Sequence, residues 1–281
     1  MLELTNLHKT FLPGTVNAHV ALDGVSLHLA PGEFATVIGS NGAGKSTLFG
    51  AICGSFLCDA GRIRLGGRDI TFLPEHARAR SIGRVFQDPM KGTAPGMTIE
   101  ENMALAYSRA RNRSLSMALS KKRHDLFRDA LARYGMGLED RMKTRVGLLS
   151  GGQRQVVTLL MCTLVTPKLL LLDEHTAALD PATAARVMEI TCQIVREAQI
   201  TTLMITHNIN AALSIGSRTI MMDSGSVILD IDGEARAQMS VERLMKLYSE
   251  KKSAELDNDR MLFNQAARPE GETAMERNVR P

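Results

Sequence analysis

The sequence predicts an α/β fold with a strand-rich first third, a helical middle and an alternating strand–helix end. Three observations predict it. Short apolar runs broken by Gly and Pro turns fill the first third. Capped helical segments fill the middle, and the last third alternates strand with helix. A chain of 281 residues, 44% of them hydrophobic, has room for one large α/β domain or two small ones and enough apolar surface to exclude global disorder.

In order along the chain, Leu22, Val25, Leu27 and Leu29 lie in a strand-like run that Pro31-Gly32 turns. Phe34 to Ile38 is a short apolar run of the buried-strand kind, and Lys45 to Ile52 reads as the helix that follows it. Gly66-Gly67 after Ile63 and Leu65 signals a hairpin, and Ile82 to Phe86 is a further strand. Thr98 with Glu101 three residues on fits a capping box, so a helix begins there. A second helix covers His124 to Tyr134 and a third starts at Ser150. Leu169 to Leu172 is solidly apolar, as in a parallel strand covered on both faces. Asp180-Pro181 supplies an N-cap and a first-turn proline for a helix to Ala198. Thr201 to Thr206 is the next strand, and Met221 to Ile231 reads as a hairpin turning at Ser224-Gly225. From about residue 254 the composition turns polar without a period, which predicts a loose tail over 254–281.

Composition narrows the function classes. Aromatics make up 4% and Trp is absent, which argues against a base-stacking nucleic-acid surface, and no nucleic-acid partner is expected. The net charge of +4 is uneven: the stretch from Arg109 to Arg133 holds eight Lys or Arg against Asp125 and Asp129. Such a segment suits an anionic membrane surface, an acidic partner, or a solvated helix face. Cys53, Cys58, Cys162 and Cys192 form no C-x-x-C pair and no metal spacing, as expected of reduced cytosolic thiols. The N-terminus has no signal-peptide pattern, and the longest apolar stretch, Val156 to Val165, is too short to span a bilayer. A membrane role would therefore require another chain to supply the pore.

The chemistry begins at Gly39-Ser40-Asn41-Gly42-Ala43-Gly44-Lys45-Ser46-Thr47, which fits G-x-x-x-x-G-K-[ST] between a strand and a helix. The glycines let several backbone N–H groups face one anion, and the helix adds its positive end. Lys45 would reach the terminal phosphates and Ser46 would ligate Mg²⁺. Alone, the motif indicates a P-loop NTPase. Leu169 to Leu172 then ends in Asp173 and Glu174. Asp173 can hold the metal, and Glu174 stands where a general base would polarise water.

Leu149-Ser150-Gly151-Gly152-Gln153 narrows the class. With it the sequence resembles the ABC (ATP-binding cassette) ATPase family over roughly residues 1 to 250, and the signature stands 23 residues before Asp173. The resemblance implies a RecA-like P-loop core within a cassette covering residues 1–253, with an N-terminal antiparallel β subdomain and the helical subdomain inserted over about 88–160. It implies that Ser150, Gly151, Gly152 and Gln153 bind the γ-phosphate held by another subunit, so that two ATP molecules lie between two chains. Gln87 resembles the glutamine that senses Mg²⁺ and water and couples to a permease. Asp180, in Ala178-Leu179-Asp180, resembles the loop that crosses the dimer interface. His207 resembles the histidine on the γ-phosphate, and Phe11 the aromatic on adenine.

Three departures mark a subfamily: His175 stands where Pro is usual after Glu174, the usual basic residue after Gln155 is missing, and Phe11 replaces a commoner Tyr. The stretches Val85 to Pro95 and Asp173 to Asp180 resemble a bacterial importer group, some of whose members are linked to aromatic amino-acid uptake. The expectation is an ATP- and Mg²⁺-dependent ATPase on the cytoplasmic face of the cell membrane. It would pair with a second copy or a homologous subunit, an integral-membrane permease and, through that permease, an extracytoplasmic solute-binding protein. An exporter ATPase and a soluble ABC ATPase acting on ribosomes or DNA are the alternatives. One cassette with a short helical insertion favours transport.

Overall fold

Four consecutive leucines organise the centre of the molecule. In the strand Leu169–Asp173 (β7), Leu169, Leu170, Leu171 and Leu172 are all fully buried. Successive side chains point to opposite faces, so Leu170 and Leu172 enter one hydrophobic cluster while Leu169 and Leu171 enter another. Each buried leucine contributes about 2 kcal/mol of hydrophobic stabilisation. The continuous apolar run is thus what a doubly covered central strand requires.

The computed structural model describes residues 1–109 and 120–251; the expected polar tail and part of the basic stretch 109–133 lie outside them. Met1–Met239 form one unit. Its six-stranded sheet has β7 between Ile82–Val85 (β6) and Thr202–Ile205 (β8), followed by Phe34–Gly39 (β3), Arg218–Asp223 (β9) and Ser226–Asp232 (β10). All neighbours are parallel except β9 with β10, which form a hairpin. The aligned register, with Val37 and Asp173 both opposite Ile205, brings the C-terminal ends of β3, β8 and β7 to one edge. In a parallel α/β sheet that edge is where ligands bind.

A second, antiparallel sheet of four strands combines His19–Leu29 (β2), Leu2–Phe11 (β1), Ala60–Leu65 (β4) and Arg68–Asp69 (β5). The helix Lys45–Cys53 (α1) shares a core with both sheets: Leu48, Phe49 and Ile52 are fully buried among Leu2, Leu22, Leu169 and Leu171. Arg78, on the short helix Glu75–Arg78 (α2), ties down the end of α1 by donating to the Ala51 and Ile52 carbonyls at 2.7 and 3.0 Å.

On the other face lie the helices Ile99–Ser108 (α3), Lys121–Ala132 (α4), Gly151–Thr163 (α5) and Pro181–Ala198 (α6). The capping box at Thr98 is complete, and Asp180 caps α6 with Pro181 at its first position. The second helix begins at Lys121 rather than at His124, because Ser120 enters it without a side-chain cap and nothing in the sequence marks the start. Two short helices, Ile209–Ser214 (α7) and Gly233–Ala237 (α8), complete the unit. Residues 240–251 belong to a second unit and are helical from 241. No helix among the described residues is long and apolar enough to cross a membrane. All four cysteines are free, and burial pushes the Cys53 and Cys162 thiols up to about 11, which suppresses thiolate reactivity.

Candidate active site

The glycine-rich loop leaves β3 at Gly39 and enters α1 at Lys45. Its conformation explains its composition. Gly39 has φ +150°, and a Cβ there would lie 2.2 Å from the Met222 carbonyl oxygen. Gly44 has φ +95°, and a Cβ would meet the Ala21 carbonyl oxygen at 2.5 Å. Neither place admits a side chain. Gly44 is also the N-cap of α1 and offers no side-chain acceptor, so the N–H groups of the first helical turn stay available to an anion. Asn41, Gly42 and Ser46 are exposed, Thr47 is half-buried, and Ala43 packs into the core.

Lys45 is buried, and its Nζ donates to the Gly39 and Ser40 carbonyls at 2.8 Å each. Desolvation lowers its pKa, while the carboxylates of Glu174 and Asp173 push the other way and favour the ammonium form. Lysine and both carboxylates therefore share one electrostatic site across the β3 and β7 strand ends. Ser40 Oγ donates to Asp223 Oδ1 at 3.0 Å, which pins the loop to the end of β9.

Asp173 closes β7. Glu174 follows with φ +47°, a left-handed conformation uncommon outside glycine, and its N–H donates to the Ile205 carbonyl at 3.1 Å. This turn aims the Glu174 carboxylate at His207, just beyond β8, with Oε1 2.6 Å from Nε2. The Glu174 side chain is 13% exposed and that of His207 48%, so the pair has one sheltered and one open member. Gln87 is exposed just after β6, and the preceding Phe86 carbonyl accepts from Gln155 Nε2 at 3.3 Å.

Ser150 caps α5 in a reciprocal capping box with Gln153. Gly151 and Gly152 sit against the start of α6: a Cβ on Gly151 would be 3.0 Å from Leu179, and one on Gly152 would be 2.2 Å from Thr183 Cγ2. The signature thus packs beside Asp180, whose Oδ1 accepts from the Thr183 N–H at 3.0 Å; the Thr183 hydroxyl first and this backbone bond second hold its carboxyl below the usual range. Phe11 ends β1 on the other sheet, 37% exposed, edge-on to Phe56 at 5.3 Å with Lys9 over both rings.

Four supporting residues carry no motif in the sequence. Arg84 pairs with Asp173, Asp223 receives Ser40, and Phe56 with Lys9 supports Phe11. An arginine inside the apolar run Ile82–Phe86 is the one available signal for the first.

A family model described as ABC transporter matches residues 22–177. The chain is 42% identical to a tyrosine transport ATP-binding protein of Clostridioides difficile (strain R20291) over 88% of this chain and 98% of that one. It is 36% identical to a methionine import ATP-binding protein of Rhizobium johnstonii over 81% of this chain, which corresponds to 60% of that longer protein. Among solved structures, a dimeric ATP-binding cassette in a post-hydrolysis state bound to ADP and Pi superposes with a TM-score of 0.71 at 27% identity, covering 83% of this chain and 98% of that one.

Proposed function

This chain belongs to the ABC transporter family as an ATP-hydrolysing cassette, and from that premise we propose that it drives solute import through a separate integral-membrane permease. The observation that carries the proposal is the meeting of Lys45, Asp173, Glu174 and His207 at one sheet edge, while Ser150–Gln153 lies beside Asp180. A catalytic half-site and a second anion-binding half-site on one chain suit two copies facing each other, or one copy facing a homologous subunit. The solved dimeric cassette with ADP and Pi supports that arrangement.

In the proposed mechanism the loop Gly39–Thr47 cradles the phosphates of ATP by backbone N–H groups. Lys45 exchanges its two carbonyl contacts for the terminal phosphates, and Phe11 stacks on adenine. Ser46, Asp173 and Gln87 offer hard oxygen donors of the kind Mg²⁺ takes. Among the described residues no three His, Cys, Asp or Glu gather into a cage, which fits a cation held jointly with phosphate oxygens. A Mg²⁺ ion held by these donors would supply charge neutralisation to the phosphates. Glu174 accepts a proton from the attacking water as general base, and His207 orients the Glu174 carboxylate and faces the γ-phosphate. Ser150, Gly151, Gly152 and Gln153 of one copy meet the γ-phosphate held by the other, with Asp180 at the crossing.

Closure of the pair is passed through Gln87 and the turn after it to the permease on the cytoplasmic face of the membrane. The 42% identical tyrosine transport relative supports an amino acid as cargo, delivered by an extracytoplasmic solute-binding protein. Purification of the tagged chain from native membranes in mild detergent tests this reading. A stoichiometric multi-spanning protein is the expected companion; ribosomal proteins or DNA in its place, with the chain absent from membranes, would overturn import.

A further inference from the structure

We propose that Arg84 is a positioning residue for Asp173 and sets how strongly the site draws a divalent cation, an inference that rests on the reading of Asp173 as a cation ligand. Arg84 Nη2 donates to Asp173 Oδ2 at 2.9 Å, and the two side chains are only 18% and 13% exposed. A pair this sheltered is far less screened than a surface ion pair. The guanidinium engages one carboxylate oxygen, which anchors Oδ2 and leaves Oδ1 for another partner. It also places a positive charge within a few ångströms of any cation that Asp173 holds. Arg84 therefore does two things at once: it orients the ligand, and it opposes the cation.

The surroundings hold the guanidinium beside Asp173 by more than the ion pair. Arg84 lies over the Phe86 ring, 4.6 Å from its centroid, and Phe86 directly precedes Gln87. Its Nε is buried without a hydrogen-bond partner, so the arginine is incompletely satisfied where it sits. It also lines a cavity of about 300 Å³ together with Cys53, Phe86, Leu105, Met161 and Cys162.

The test is the affinity of the full-length purified chain for a fluorescent, non-hydrolysable ATP analogue, measured with Mg²⁺ and in EDTA. The ratio of the EDTA dissociation constant to the Mg²⁺ dissociation constant reports how much the cation helps. Arg84→Met keeps the apolar stem, and Arg84→Gln keeps a polar head; both remove the charge. Each should raise the ratio about five-fold, the size of one partly screened charge contact. Arg84→Lys keeps the charge and should leave the ratio within about two-fold of the parent. An unchanged or smaller ratio in both neutral variants, or a rise in Arg84→Lys equal to theirs, overturns the proposal. A structural role alone would move both constants together and leave the ratio fixed. Should Arg84→Met fail to fold, Arg84→Gln against Arg84→Lys decides. Failure of the parent chain to bind the analogue in either condition would instead strike the ATP-binding reading itself.

Discussion

His175 stands directly after Glu174 and makes a prediction about acid stability. The residue is 2% exposed, and its Nε2 lies 3.1 Å from Thr191 Oγ1 on α6. The Thr191 hydroxyl donates to the Val187 carbonyl at 2.8 Å, so its oxygen is left to accept, and His175 must donate from Nε2 as a neutral imidazole. Burial without a counter-charge pushes its pKa from 6.5 down to about 4. The unfolded chain therefore takes up a proton as pH falls through 6.5, while the folded chain resists until about pH 4. Stability is highest above pH 6.5 and declines across that window. At about 1.4 kcal/mol per pH unit the full loss is about 3 kcal/mol, and about 2 kcal/mol of it is reached by pH 5. Urea unfolding followed by circular dichroism at pH 7.5 and pH 5 measures this, with His175→Leu as the comparison. The variant should lose about 2 kcal/mol less than the parent between the two conditions. Equal losses would refute the buried neutral histidine.

Two other substitutions probe the support of the site. Arg78 is 2% exposed and donates to the carbonyls of Leu73, Ala51, Ile52 and Thr71, so Arg78→Met takes a donor from three buried acceptors and from the half-buried Leu73 carbonyl. It should cost about 3 kcal/mol in chemical denaturation, and a loss below about 1 kcal/mol would contradict the account of how α1 is anchored. Phe11→Ala should weaken ATP binding about ten-fold by removing one stacking face. Phe11→Tyr should restore it, and undiminished affinity of the alanine variant in a fluorescent-nucleotide titration would remove Phe11 from the adenine site.

Elements that carry their own local signals were legible in the sequence. The Leu169–Leu172 run, the Thr98 capping box and the Asp180-Pro181 start each name an element because burial or capping within a few residues decides it. The strand β1 gave no such signal: its register with β2 shifts three times, and its outer residues break the alternation. The six-residue helix α7 is too short to show a period. The site divides the same way. The phosphate loop, the two acids and the signature are contiguous motifs. Arg84 with Asp173 and Ser40 with Asp223 join residues 89 and 183 apart, and only the strand order β9-β3-β8-β7-β6 brings them together.

If two chains share each ATP and Glu174 drives its hydrolysis, a chain without that carboxylate stays locked to its partner while ATP is bound. Light scattering on Glu174→Gln after size exclusion, with ATP and then with ADP, tests it most directly. An abortive dimer is expected in ATP, falling to monomer in ADP, with turnover lost. A monomer in saturating ATP, or turnover equal to the parent, would contradict it.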